Sequence, residues 1–105
     1  MFFNNNNLTS ITFSPSFNTE NITDFSNSFS TCDKLQSVDL SHLNLRGAKS
    51  LTHFLSFDKS LKIIDLSNIY AENLTDMSAT FYGSESITFI NLTNFSAPKL
   101  WEMIH

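Results

Sequence analysis

Apolar and polar positions along the chain repeat at a spacing of 26 residues. The segments opening LQSVDLSHLNL at Leu35, LKIIDLSNIYA at Leu61 and ITFINLTNFSA at Ile87 fall into one register. An earlier copy, opening LTSITFSPSFN at Leu8, is one residue longer, with the extra residue near Ser14-Pro15-Ser16. The apolar columns are Leu8/Leu35/Leu61/Ile87, Ile11/Val38/Ile64/Ile90, Phe13/Leu40/Leu66/Leu92, Phe17/Leu43/Ile69/Phe95, Ile22/Ala48/Leu74/Leu100, Phe25/Leu51/Met77/Met103 and Phe29/Leu55/Phe81. Such internal self-similarity marks a repeat architecture.

Within a unit the period changes. Around Val38-Asp39-Leu40 the pattern alternates, which predicts a strand with apolar chains inward and polar chains outward. Further on, Phe25/Phe29, Leu51/Leu55 and Met77/Phe81 are spaced i,i+4, which predicts a helical turn. Thr23, Ser50 and Thr75 are placed to cap that turn, and Gly83 suits a left-handed helix terminus. The predicted fold class is therefore an α/β repeat solenoid, leucine-rich-repeat-like, of about 3.5 units. Each unit is a short strand plus a short helical turn. The predicted organisation is a disordered, low-complexity start at 1–7 (Asn4–Asn7 is an Asn run) followed by the repeat solenoid at 8–105, divided 8–34, 35–60, 61–86 and a partial 87–105. One unit buries too little apolar surface to offset its backbone ordering, so units must stack. The amputated last unit reads as the edge of a longer chain, stacking on further repeats; Trp101, Met103 and Ile104 folding over the end is the other reading.

Composition narrows the function. The 105 residues carry a net charge of −4, with 10 acidic and 6 basic side chains. No basic cluster is present to meet phosphates, so no nucleic-acid partner is expected. No run approaches the roughly 18 apolar residues of a membrane span, so no membrane insertion is expected, and the amino terminus reads as no signal peptide. The single cysteine, Cys32, excludes an internal disulfide. It reads as a packing residue, because a reactive thiol needs an electropositive niche. His42, His53 and His105 have no spacing with Cys or acids that marks a metal site or a triad. The reading is of a non-enzyme without a cofactor.

The outward strand positions supply the candidate binding residues: Ser37, Asp39, Ser41, Ile63, Asp65, Ser67, Phe89 and Asn91, flanked by Ser10, Thr12, Ser14 and Thr93. Repeat proteins bind through such extended faces. Ile63 and Phe89 stand out as apolar residues among hydroxyls. Asp39 and Asp65 share a column, but Thr12 and Asn91 interrupt it, so no metal ladder is expected. Sequons at Asn7, Asn21, Asn73, Asn91 and Asn94 are acceptors only in a secretory context.

The unit LKIIDLSNIYAENLTDMSATFYGSESI resembles the BspA-like leucine-rich repeat of bacterial surface proteins, also catalogued as a domain of unknown function in mycoplasmas. That pattern runs L-x-x-L-D-L-S-x-F, then N-V-T-x-M, then F-x-G-C-x-x-L. The matching residues are Leu61, Ile64, Asp65, Leu66, Ser67, Asn73, Leu74, Thr75, Met77, Phe81 and Gly83. Cys32 and Ser84 fit the pattern's small Cys/Ser slot, whereas LRGAKSLTHFL in the second unit lacks the N-x-T core. The resemblance spans about Leu8 to His105. It implies a cell-surface or extracellular protein-binding or adhesion module whose partner is a protein or host-surface ligand. The alternative is an intracellular repeat scaffold mediating protein–protein interaction.

Overall fold

One short strand from each 26-residue pass enters a single sheet. The computed structural model describes residues 4–103, with the side chains of 101–103 left aside. The strands are β1 (Ser10–Ile11), β2 (Ser37–Asp39), β3 (Ile63–Asp65) and β4 (Phe89–Asn91), followed by the helix α1 (Pro98–Met103). They lie in the order β1-β2-β3-β4, and all pairs are parallel. Val38 faces Ile64, and Ile64 faces Ile90, so the sequence register is the sheet register. The strands stop early for a local reason. Asp39, Asp65 and Asn91 each accept, through Oδ1, the N–H of the residue two further on (Ser41, Ser67 and Thr93) at 2.9–3.0 Å. These Asx turns compete with continuation of the ladder.

The expected α/β repeat solenoid, with a short helical turn in every unit, is not what the chain forms. Among the described residues the only helix is Pro98–Met103. The body measures 35 × 33 × 23 Å with a radius of gyration of 12.9 Å, the value of a compact globule of this length (about 13 Å). The segments expected to be helical are runs of tight turns instead. Asn27, His53 and Ala79 share one column, and all three are left-handed, with φ of 60°, 55° and 53°. Thr31, Phe57 and Gly83, four residues on, are left-handed too, at 61°, 58° and 77°. A right-handed helix cannot run through such residues.

Backbone bonding explains the choice. N–H groups that a helix would pair four residues back pair with the next pass. Asn27, Phe29 and Thr31 donate to the carbonyls of Thr52, Phe54 and Ser56; His53, Leu55 and Phe57 donate to those of Ser78, Thr80 and Tyr82. Hydroxyls add to the competition: Ser28 Oγ donates to Phe25 O at 2.7 Å and Thr80 Oγ1 to Met77 O at 2.7 Å, the local bonding that disfavours helix. The expected caps serve other bonds. Ser50 bridges Asp24 and Asp76, and Thr75 Oγ1 donates to Lys49 O at 3.4 Å. Gly83 is left-handed as expected, but it ends a turn and not a helix. A Cβ there would strike the Phe57 ring.

The apolar columns fill the interior between these rows of bonds. The second pass buries its columns completely and the third leaves only Met77 and Phe81 partly buried, while the outer passes leave Phe17 and Leu92 exposed, because an outer pass has a neighbour on one side only. Phe54 inserts between Phe25 and Phe29 with edge-to-face ring distances of 6.2 and 5.3 Å, a favoured aromatic geometry. A further buried column, Thr19/Leu45/Ala71/Ala97, was hidden in the sequence by its mixed residue types. Of the start at 1–7, residues 1–3 lie outside the described part; residues 4–7 are exposed, and the Asn4 N–H donates to Ser30 O at 2.9 Å. Ile104, His105 and the side chains of Trp101 and Met103, expected at the open end, lie outside the described part.

Leu66 is buried and Asp65 half-exposed. Leu66→Asp should therefore abolish the folded circular-dichroism signal, since an unpaired buried charge costs more than about 4 kcal/mol. Asp65→Ser should stay within about 1 kcal/mol of the parent in urea denaturation. Gly47→Ala should destabilise the fold by about 1–3 kcal/mol, because a Cβ there runs into the backbone carbonyl oxygen of Glu20 on the preceding pass.

Candidate functional site

The outward face of the sheet collects side chains at every second strand position. Ser10, Ser37, Ile63 and Phe89 form one row across β1–β4, since Ser10 pairs with Ser37, Ser37 with Ile63 and Ile63 with Phe89. Asp39, Asp65 and Asn91 form the next row. Ile63 is 50% and Phe89 57% exposed. Two adjacent apolar side chains therefore stand in solvent beside a row of acids and an amide. Ser37, Asp39, Ser41, Asp65 and Asn91 are half-buried, and Ser67 is buried. Among these eight residues the accessible apolar surface belongs to Ile63 and Phe89.

The second row is pre-organised by its own turns. Asp39 Oδ1 accepts from Ser41 Oγ at 2.6 Å and from Ser41 N at 3.0 Å. The Ser41 hydroxyl, and after it the Ser41 amide, hold the Asp39 carboxyl below its ordinary value. Asn91 repeats the arrangement with Thr93, whose Oγ1 donates to Oδ1 at 2.8 Å. Asp39 and Asp65 face each other in register. Like charges so placed repel weakly in water. No group of three or more His, Cys, Asp or Glu side chains converges among the described residues. His42 is exposed on the turn that follows β2, His53 is half-buried on the far turns, and His105 lies outside the described residues.

Two other surfaces flank the sheet. On one side a shallow polar groove is lined by Glu20, Asn21, Arg46, Gly47, Glu72 and Asn73. There Asn73 Nδ2 donates to Arg46 O at 2.9 Å, and Lys99 Nζ donates to Asn73 Oδ1 at 2.9 Å. The Asn73 amide, a sequon position, is thereby committed to packing the passes together. The last pass carries an apolar cleft of about 200 Å³ lined by Leu66, Met77, Phe81, Ile90, Leu92, Phe95 and Leu100. Among the described residues no helix is long and apolar enough to cross a membrane.

One buried group was missed by sequence reading. Cys32 and Ser84 were placed in a small slot, but the residue midway between them in the same column is Asp58, and its side chain is fully buried. The 26-residue spacing was the available signal. The thiol of Cys32 is buried as expected of a packing residue, and burial raises its pKa.

Comparisons of the chain with protein-family models, curated proteins and solved structures find no match.

Asp24, Asp39 and Asp76 all sit below the ordinary carboxylate value, each held down first by the hydroxyl of the serine two residues on. A depressed folded value stabilises above the unfolded pKa and is lost as pH falls through the folded one. Thermal unfolding should accordingly show a fall in melting temperature below about pH 4. Asp39→Asn should make that acid fall shallower, and an unchanged acid limb would show that the Ser41 contacts do not form in solution.

Proposed function

We propose that this chain is a non-catalytic protein-binding module that uses the outward face of its parallel sheet. The observation that carries the reading is the pair Ile63 and Phe89, adjacent in register and half in solvent. Nothing in the folding of the sheet requires apolar residues there, because the same row holds serine at Ser10 and Ser37. Exposed neighbouring apolar residues rimmed by polar groups suit protein recognition. The fixed Asx turns hold the polar rim in place, so little side-chain entropy is lost on contact.

The resemblance through Asp65-Leu66-Ser67 and Asn73–Met77 supports a surface-type adhesion role and a cell-surface or extracellular location, with a protein or host-surface ligand as partner. It supplies no identity for that ligand.

The test is saturable attachment of the folded chain to cultured host cells and to immobilised extracellular-matrix proteins, compared with an Ile63→Ser/Phe89→Ser double variant. The variant should keep the parent's unfolding midpoint and lose at least about tenfold in attachment, as removal of central apolar anchors does. Attachment equal in parent and variant, or absent from both, would discard the reading.

A further inference from the structure

The column Cys32/Asp58/Ser84 runs through the interior and ties three successive passes together. Asp58 is 0% exposed. Its Oδ1 accepts the Cys32 N–H at 2.7 Å, and its own N–H donates to Ser84 Oγ at 2.9 Å. Ser84 Oγ donates in turn to Leu55 O. Asp58 Oδ2 is buried and has no hydrogen-bond partner among the described residues. The neighbouring passes hold the smaller Cys32 and Ser84 in this column, and the aspartate between them leaves one buried carboxyl oxygen without a partner among the described residues.

An ionised carboxylate with a dry oxygen is costly, whereas the neutral acid is far less so. The charged and titratable groups facing Asp58 do not relieve that cost. From the preceding pass come Asp33, whose negative charge opposes a second one nearby, and the Cys32 thiol; from the following pass comes the uncharged Ser84 hydroxyl.

We propose that Asp58 is a proton-operated latch: the closed fold holds its carboxyl protonated on Oδ2, and loss of that proton loosens the seam through Cys32, Asp58 and Ser84. The chain is then most stable in mild acid and weakens toward neutral pH. This device acts in the interior and is independent of what the sheet face binds.

Burial pushes the Asp58 carboxyl up from 3.8 to about 7, against the pull of the Cys32 amide. A folded value raised above the unfolded one gives stability that is full below the unfolded pKa and is lost as pH rises through the folded pKa. The window is therefore about pH 4 to 7. It does not overlap that of Asp24, Asp39 and Asp76, which weaken the fold only at lower pH.

The experiment is urea unfolding of the whole chain at intervals from about pH 4 to about pH 8, for the parent, Asp58→Asn and Asp58→Ser. The parent's unfolding equilibrium constant should rise by up to about tenfold per pH unit across the window and level off above about pH 7. Both variants should remove that slope, and Asp58→Ser copies the residue that the next pass already tolerates at Ser84. Should neither variant fold, carbon-13 detection of the Asp58 carboxyl in the parent decides the matter: a titration midpoint near pH 7 supports the latch. A midpoint below about pH 5, or pH profiles that stay parallel in parent and variants, overturns it.

Discussion

Lateral backbone hydrogen bonding between passes 26 residues apart is the constraint on which the rest of this structure depends. It sets the sheet, in which Ser37–Asp39 pairs with Ile63–Asp65 and then with Phe89–Asn91. It also sets the opposite wall, where Asn27, Phe29 and Thr31 bond across to Thr52, Phe54 and Ser56. Each pass satisfies its neighbour's backbone groups, and the apolar columns are then enclosed between two bonded walls. Buried amides and carbonyls must find partners, and here most of those partners lie on another pass. Stability is shared between passes, and no single one is a folding unit.

That arrangement has a conformational cost. Left-handed backbone at Thr31, His53, Phe57 and Ala79 is disfavoured by roughly 1 kcal/mol or more per residue. The lateral bonds and the aromatic packing of Phe25, Phe29 and Phe54 offset it. The same geometry makes a helix-like i,i+4 spacing ambiguous. Phe25 and Phe29, or Leu51 and Leu55, face inward together because two linked turns also bring every fourth residue back to the same side.

The outward face and the interior slot show two results of one repeat. Outside, a column tolerates Ser10, Ser37, Ile63 or Phe89 because solvent accepts any of them. Inside, the column Cys32/Asp58/Ser84 is buried, and among the described residues its one carboxyl has no partner for Oδ2. The surface column is thus free to vary in polarity, whereas the interior column is not.

The sequence by itself determined the repeat, its register and the inward apolar columns, because a period of two at Val38-Asp39-Leu40 and a column spacing of 26 leave one consistent way to bury Val38, Ile64 and Leu66. It also marked Ile63 and Phe89 as outward apolar residues, since their strand parity opposes that of Ile64 and Ile90. Tertiary structure alone decided that the second half of each pass would be turns and not helix. Local spacing cannot distinguish the two, and the deciding bonds run from Asn27 to Thr52 and from His53 to Ser78, between residues about a full pass apart. Tertiary structure likewise turned Asp58 from one acid among ten into a buried one, because a carboxyl's ionisation depends on the water and partners that its neighbours on other passes exclude or supply.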